Sequence, residues 1–197
     1  MRSSLLFIVL CVFYLSVSGQ CTSVRYTDTV FHRVTGQTAV QFGTADNYLG
    51  IPIDLYLDFY EPAGDTLTKR PLIVYAFGGA FLIGTRNQPP IPDYCTYYAK
   101  CGYAVAAIDY RIGFDILSTE SAERAVYRTT QDIRGAVRFL CQRYAQYRID
   151  TTAIFLTGSS AGCFGGLYST FEEQSDVPSS IHGIFAEPSD LGCLDCA

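Results

Sequence analysis

Residues 152–166 read TAIFLTGSSAGCFGG, and this stretch decides the fold of the chain. Its first part, residues 153–157, is a short apolar run typical of a buried strand. The run ends in the turn Gly-Ser-Ser-Ala-Gly at residues 158–162, and small residues continue to Gly166. A sharp turn from strand to helix strains its central residue, so the flanking positions have to be small. The stretch therefore predicts a strand, a tight turn centred on Ser160, and a helix from Ala161 onward.

The remainder of the sequence alternates between strand and helix patterns. Further strands are predicted over residues 53–60, 71–77, 103–110 and 181–186. A turn followed by a helix is predicted over residues 89–102, and a long helix over residues 119–147. Continuous apolar strands that alternate with helices favour an α/β fold with a mostly parallel sheet and helices on both faces. Such sheets carry their chemistry at the carboxyl ends of the strands, where the turn around Ser160 falls.

The composition argues against several classes of function. The chain has 197 residues, 49% hydrophobic and 17% charged, which suggests one folded domain rather than a disordered segment. Its net charge of −5 and the lack of a basic run argue against a nucleic-acid partner. The sequence has only two histidines and no dinucleotide, Walker-type or H-E-x-x-H motif, so we expect no cofactor and no metal.

The N-terminal residues resemble a targeting segment. Arg2 precedes an apolar run over residues 5–17, which is shorter than the roughly 20 residues that a bilayer span needs. Val17 and Gly19 are small residues at the positions that favour cleavage before Gln20. We therefore predict a signal peptide over residues 1–19, no stable membrane span, and a secreted or periplasmic domain over residues 20–197. The alternative is an uncleaved anchor.

The cysteines point to no particular chemistry. The sequence has eight, one of them in the predicted signal peptide, so an odd number remains and at least one lacks a partner within the chain. Cys193 and Cys196 form a lone C-x-x-C pair, for which a loop disulfide or no role is a better interpretation than a metal or redox site. Cys163 lies among small residues and is predicted to be a buried filler.

A second glycine-rich turn indicates the chemistry that goes with Ser160. Residues 77–84 read FGGAFLIG and follow the predicted strand over residues 71–77. Small residues there allow backbone N–H groups to approach an oxygen on which negative charge develops. The turn around Ser160 holds its Oγ clear of the backbone and points helix N–H groups toward it. Together the two turns predict a nucleophile beside an oxyanion hole.

These motifs resemble the N-terminal part of an α/β-hydrolase, most closely the carboxylesterase and hormone-sensitive-lipase-like esterases. The landmarks occur in order over roughly residues 50–187: Pro71-Leu72-Ile73-Val74 before Gly-Gly-x-Phe-x-x-Gly, Asp109-Tyr110-Arg111, Asp132 in the long helix, and Ile154-Phe155-Leu156 before Gly-x-Ser-Ala-Gly. The resemblance implies a serine esterase that acts on small or polymer-linked carboxylic esters. A non-catalytic binding protein on the same scaffold, which the cholinesterase-like relatives also provide, is the alternative.

The resemblance also implies roles for individual residues. Ser160 is the expected nucleophile. The backbone N–H groups of Gly79, Ala80 and Ala161 are expected to form the oxyanion hole, and Gly78 to shape its loop. Two departures are present: many members have histidine where Phe77 stands, although cholinesterase-like relatives have an aromatic residue there, and Cys163 replaces a frequent glycine. Asp109, Tyr110 and Arg111 are expected to be structural, with Asp132 bracing the region behind the site.

The sequence offers no good partner for the serine. A serine nucleophile needs a general base and an acid that orients it, in the chain order serine, acid, histidine. After Ser160 the only histidine is His182, at the start of a predicted strand and therefore at the wrong end of the sheet. His32 precedes all the motifs, and Glu187 is a candidate acid at the end of that strand. We therefore expect the chain to be a fragment whose base and acid lie in missing residues.

Overall fold

The computed structural model describes residues 24–181. Its strands are β1 (Val34–Asp46), β2 (Pro52–Pro62), β3 (Arg70–Ala76), β4 (Ala104–Ile108) and β5 (Ile149–Gly158). Its helices are α1 (Ile91–Cys101), α2 (Thr119–Gln142), α3 (Tyr144–Tyr147) and α4 (Ala161–Phe171). Two 3-10 turns follow, at Gln174–Asp176 and Ser179–Ile181. The predicted signal peptide, most of the predicted strand over 181–186, His182, Glu187 and the C-x-x-C pair lie outside the described residues.

The five strands form one mixed sheet in the order β1-β2-β4-β3-β5. Strands β3, β4 and β5 are parallel, whereas β2 is antiparallel to β4 and β1 is antiparallel to β2. The parallel strands are those with continuous apolar runs, and every residue of β4 is buried. The structure thus confirms the α/β class and adds an antiparallel pair at one side of the sheet.

Helices cover both faces of the sheet. Side chains alternate along β5, so Ile154 and Leu156 lie on one face, in a cleft that residues of α2 and α4 also line. Phe155 lies on the opposite face, with its ring centroid 6.4 Å from that of Tyr103, which in turn packs edge-on to Tyr98 of α1. The predicted arrangement of helices on both faces is therefore confirmed.

Two elements differ from the sequence-based expectation. Strand β1 was not predicted, because most of its residues are exposed and it is interrupted by register shifts, one of them around Ala39. The long helix predicted over 119–147 ends at Gln142, where Arg143 leaves helical geometry, and the single turn α3 follows. Helical spacing of apolar residues continues across this break, so the pattern alone does not reveal it.

The amino end of the parallel strands carries a network of ion pairs. Arg70 is fully buried; its Nε donates to Asp65 Oδ2 at 2.6 Å and its Nη1 to Glu61 Oε2 at 2.8 Å. Arg25 also pairs with Asp65 at 2.6 Å, and Arg148 with Glu61 at 2.7 Å. A buried arginine is tolerated only where carboxylates neutralise it, so this network fixes the start of β3.

We expect Asp65→Asn to lower the free energy of unfolding by about 3 kcal/mol at neutral pH, because it leaves Arg70 with a single carboxylate partner. Burial opposes ionisation of Asp65, but hydrogen bonds from Arg25 and Arg70 outweigh it and hold the pKa below its usual range. A lowered folded-state pKa stabilises the fold above the unfolded-state pKa of about 4, and this contribution is lost as the pH falls through the folded-state pKa.

Urea unfolding of the wild type and Asp65→Asn between pH 7 and pH 3 measures this effect. The difference between the two proteins should shrink on acidification below about pH 4. Asp28→Asn removes an exposed carboxylate and serves as the matched control. A difference for Asp65→Asn that stays constant over the whole range would contradict the assignment.

Candidate functional site

The two glycine-rich turns lie side by side at the carboxyl edge of the parallel strands. Strands β3 and β5 pair in parallel, with Ala76 opposite Gly158 at their ends. The chain leaves β3 through Gly78 and Gly79, and it leaves β5 through the turn that holds Ser160. Topology therefore brings together two motifs that are about eighty residues apart in the sequence.

Ser160 has the backbone of a strained turn. Its φ of 47° and ψ of −116° are unusual for a residue with a side chain, and such geometry costs about 1–3 kcal/mol. Its carbonyl oxygen accepts hydrogen bonds from the N–H groups of Cys163 and Phe164 at 3.0 and 3.1 Å, which anchors the first turn of α4. Its side chain is exposed and makes no capping hydrogen bond to the helix. The hydroxyl is thus held at the surface without a structural role of its own.

Close packing explains the glycines around Ser160. A Cβ built on Gly162 would lie 2.2 Å from the carbonyl oxygen of Ala76, and one built on Gly158 would lie 2.5 Å from the same atom. Real Cβ atoms do not approach so closely, and the atoms they would meet are backbone. The first turn of α4 therefore rests directly on the end of β3, which only glycine allows.

Residues 78–84 form a tight loop, called the oxyanion loop below. Gly79 has a φ of 148°, Ala80 and Phe81 have φ of 53° and 60°, and the carbonyl of Gly79 accepts from the N–H groups of Leu82 and Ile83 at 2.9 and 3.1 Å. A Cβ on Gly79 would lie 1.8 Å from the oxygen of Ile83, so this position requires glycine. The loop is thereby folded back on itself at the edge of the sheet.

The expected oxyanion-hole donors are not used elsewhere in residues 24–181. The N–H groups of Gly79, Ala80 and Ala161 donate no hydrogen bond to another described residue. A Cβ on Gly78 would lie 2.8 Å from both the carbonyl oxygen and the Oγ of Ser159, so the loop backbone lies against the turn beside Ser160. Backbone donors without partners next to an exposed hydroxyl are the arrangement that stabilises a developing oxyanion.

Phe77 replaces the histidine of many resembled esterases, and it holds the loop by packing. Its ring is buried and stacks on Tyr110, with centroids 4.1 Å apart and planes 17° apart. The Tyr110 hydroxyl donates to the carbonyl oxygen of Phe77 at 2.8 Å. A Cβ on Gly84 would lie 2.5 Å from the Phe77 ring, so the far end of the loop returns onto the same ring.

Arg111 and Asp132 form a buried brace behind the site. The Nε of Arg111 donates to both carboxylate oxygens of Asp132 at 3.0 Å, and its backbone N–H donates to Oδ2 at 2.7 Å. Burial raises the pKa of Asp132, and the charge and hydrogen bonds of Arg111 oppose that shift. The brace ties the segment after β4 to α2, as the resemblance implies for these residues.

Sequence reasoning missed Arg86. Its Nη1 lies 2.5 Å from Asp109 Oδ2 and its Nε lies 3.0 Å from Asp58 Oδ1. Burial raises the pKa of Asp109, and the charge of Arg86 opposes the shift. The three side chains come from distant parts of the sequence. Asp109 belongs to the Asp109-Tyr110-Arg111 landmark, but no local motif marks Arg86 or connects it with Asp58 and Asp109.

The described part of the chain contains no base for Ser160. His32 is exposed, and the adjacent Phe31 N–H donates to the carbonyl of Lys100 in the last turn of α1. That turn leads into the amino end of β4, whereas Ser160 follows the carboxyl end of the parallel strand β5. A strand of 5 residues is about 16 Å long, so His32 lies at the opposite edge of the sheet.

Cys163 is exposed, which corrects the prediction that it is a buried filler. The buried residues of α4 are Ala161, Gly162, Gly165 and Gly166, which face the sheet or α2, and Cys163 is not among them. Within residues 24–181, no group of three or more His, Cys, Asp or Glu side chains is arranged to hold a metal ion. No helix in the same range is long and apolar enough to cross a membrane.

Comparison with known proteins finds similarity to esterases and lipases and to a neuroligin-like protein. Residues 57–188 match the family model described as BD-FAE. The chain is similar to carboxylesterase 3B of Mus musculus (30% identical over 130 residues, 62% of this chain and 22% of the relative). It is also similar to the neuroligin-like protein glit-1 of Caenorhabditis elegans (31% over 111 residues, 55% and 14%) and to lipase 1 of Geotrichum candidum (29% over 114 residues, 55% and 20%).

Solved esterases share the fold. An esterase from Thermogutta terrifontis, Est2 with propionate bound, superposes with a TM-score of 0.52 at 29% identity, covering 64% of this chain and 42% of that one. Esterase B of Lactobacillus rhamnosis gives 0.52 at 27% identity, covering 68% and 39%. The likeness confirms the predicted α/β-hydrolase fold. The chain spans less than a quarter of the length of the curated relatives named above and less than half of these solved chains.

Proposed function

Because the chain belongs to the BD-FAE family of esterase- and lipase-type α/β-hydrolases, we propose that it carries the nucleophilic half of a serine esterase. The observation that supports this best is the exposed hydroxyl of Ser160, on a strained turn at the head of α4 and beside a loop of unused N–H donors. Strain at a non-glycine residue persists only where the surroundings enforce it, and it concentrates at functional sites.

The proposed reaction is hydrolysis of a carboxylic ester in two steps. The Oγ of Ser160 attacks the carbonyl carbon while a base takes its proton, and the N–H groups of Gly79, Ala80 and Ala161 stabilise the oxyanion. Collapse of this intermediate expels the alcohol, which receives the proton, and leaves an acyl group on Ser160. Water then attacks the acyl group, releases the carboxylic acid and restores the serine.

In this proposal the base and the acid come from outside residues 24–181. His32 lies at the wrong edge of the sheet, and Asp109 and Asp132, the carboxylates after β4 and behind the site, are already paired with arginines. The chain also covers only part of its relatives. The 197-residue chain by itself should therefore hydrolyse activated esters slowly or not at all.

Two further parts of the proposal concern substrate and location. Est2 of Thermogutta terrifontis has been solved with propionate and with butyrate bound, which makes esters of short acyl chains the first substrates to try. In this proposal residues 1–19 are a signal peptide cleaved before Gln20, and the esterase acts after export; the apolar run and the small residues before Gln20 support it.

Covalent trapping tests the function. The product of the whole reading frame, collected after export, is treated with paraoxon, an organophosphate that phosphorylates the Thermogutta enzyme. We expect one equivalent of 4-nitrophenolate to be released as the phosphoryl group is transferred to Ser160, with the adduct mapped by mass spectrometry and the N-terminus at Gln20. A histidine and an acidic residue should be found by sequencing the coding DNA beyond the codon for Ala197.

The alternative is a non-catalytic binding protein on the same scaffold, and the likeness to a neuroligin-like protein favours it as the second candidate. This alternative predicts a folded product that releases no 4-nitrophenolate and leaves Ser160 unmodified. Rapid turnover by the 197-residue chain alone, abolished by Ser160→Ala, would instead bring His182 or His32 into the mechanism.

A further inference from the structure

The oxyanion loop needs a further tie where the chain leaves it. Its entry follows β3, Gly84 at its far end packs on the Phe77 ring, and the Phe81 carbonyl accepts from the N–H of Gly113 at 2.6 Å. Its middle nevertheless contains Ala80 and Phe81 with positive φ, and the side chains of Leu82 and Ile83 are exposed. Backbone strain of this kind persists only where the surroundings hold it in place. The segment that leaves the loop must therefore be tied down firmly.

Arg86, two residues beyond the loop, makes that tie. Its guanidinium lies between two carboxylates, 2.5 Å from Asp109 and 3.0 Å from Asp58, and its backbone N–H donates to Asp109 at 3.4 Å. The side chains of Arg86, Asp58 and Asp109 are 15%, 7% and 21% exposed, so water screens these charges only in part. The planar guanidinium donates a hydrogen bond to Asp109 and forms an ion pair with Asp58 at the same time, which a lysine ammonium on its flexible stem does less well.

The carboxylates are themselves fixed to the sheet. Asp58 lies on β2 and accepts a hydrogen bond at 2.7 Å from the N–H of Ala39, at the irregular point of β1. Asp109 follows β4, and its N–H donates to the carbonyl of Tyr56 at 2.8 Å. The pair thus connects the exit of the loop to three strands of the sheet.

The exit is also coupled back to the entry of the loop. The side chain of Gln88 donates to the carbonyl oxygen of Gly78 at 3.4 Å, and its own oxygen accepts from the N–H of Thr85 at 3.2 Å. A shift of the segment that carries Arg86 therefore moves Gly78, which lies against Ser159 in the turn of the nucleophile. Loss of the anchor would displace the N–H donors relative to Ser160.

We propose that Arg86 is a positioning residue for ester hydrolysis, which acts through Asp58 and Asp109 to hold the oxyanion loop against the turn of Ser160. The inference rests on the proposed function. Arg86 contacts no reacting atom in this proposal, so its removal slows the reaction at Ser160 rather than abolishing the nucleophile.

The test measures the rate constant for phosphorylation by paraoxon and the thermal midpoint of the same proteins, each the product of the whole reading frame. Arg86→Gln should slow phosphorylation by roughly 100-fold, the effect of losing an oxyanion donor. Arg25→Gln is the matched control, because Arg25 is 20% exposed and also pairs with a buried aspartate, but at the opposite edge of the sheet. Its rate should stay within about threefold of the wild type, since distant sites act independently.

A double variant distinguishes a positioning role of Arg86 from a role that consists only of neutralising Asp109. Arg86→Gln with Asp109→Asn removes one of the two carboxylates left without Arg86, a half-buried one, so it should regain part of the thermal stability while the phosphorylation rate stays low. Recovery of both quantities, or a wild-type rate in Arg86→Gln, would overturn the positioning role. If Arg86→Gln fails to fold, Arg86→Lys takes its place and should react about tenfold more slowly, with a wild-type rate again overturning the role. A wild-type protein that folds but does not react refutes the proposed function itself, and the inference with it.

Discussion

Gly162→Ala should prevent the protein from folding, although it adds a single methyl group. The new Cβ would lie 2.2 Å from the carbonyl oxygen of Ala76 and 2.5 Å from that of Phe77, both backbone atoms at the end of β3. Relief of the clash requires α4 to move off the sheet, and the turn around Ser160 moves with it. We expect a loss of roughly 4 kcal/mol or more, which is comparable with the whole stability of many domains.

Gly166→Ala is the control within the same helix. Its Cβ would lie 3.7 Å from the Cβ of Leu156, an ordinary contact, and alanine favours a helix over glycine by about 1 kcal/mol. Urea unfolding followed by circular dichroism compares the two variants with the wild type. Gly166→Ala should unfold at a slightly higher urea concentration and Gly162→Ala should show no cooperative transition. Equal midpoints for both would mean that α4 does not rest on β3 in the way described.

The parts of the fold that could be predicted from the sequence are those where one local pattern dominates. Strands β3 and β4 are continuous apolar runs, and both were predicted within two residues of their ends. Strand β1 could not be predicted, because its pairing with β2 is set by long-range hydrogen bonds while its side chains mostly face solvent. The break after Gln142 arises because the backbone of Arg143 is not helical, and the spacing of apolar side chains does not reveal it.

The site divides in the same way. The turn around Ser160 could be predicted because its requirement is local. A helix that begins so close to a strand needs small residues within its first turn, and these residues stand together in the sequence. The anchor at Arg86 is not local: it joins residues from β2, the loop exit and the end of β4, and pairing between them depends on the strand order. Its contribution becomes apparent only once the sheet is assembled.

Ser160→Gly should abolish ester hydrolysis and yet stabilise the protein. Loss of the nucleophile costs roughly 10⁴-fold or more in kcat/KM. The backbone of Ser160, with φ of 47° and ψ of −116°, is strained for any residue that has a Cβ, and glycine adopts positive φ without that strain. The side chain makes no capping hydrogen bond to α4, so its removal forfeits none to the helix. We expect a gain of about 1 kcal/mol in the free energy of unfolding.

Ser160→Ala separates the two effects, because alanine removes the hydroxyl but keeps the Cβ and therefore the strain. Both variants should lose turnover of 4-nitrophenyl butyrate and phosphorylation by paraoxon, while only Ser160→Gly should unfold at a higher urea concentration. Equal stability of the two variants would show that the turn stores no strain. Retained turnover in either variant would remove Ser160 from the mechanism. The predicted pair of results would establish that the fold accepts a stability cost at Ser160 in order to present the hydroxyl, which is the behaviour expected of a nucleophile and not of a scaffold residue.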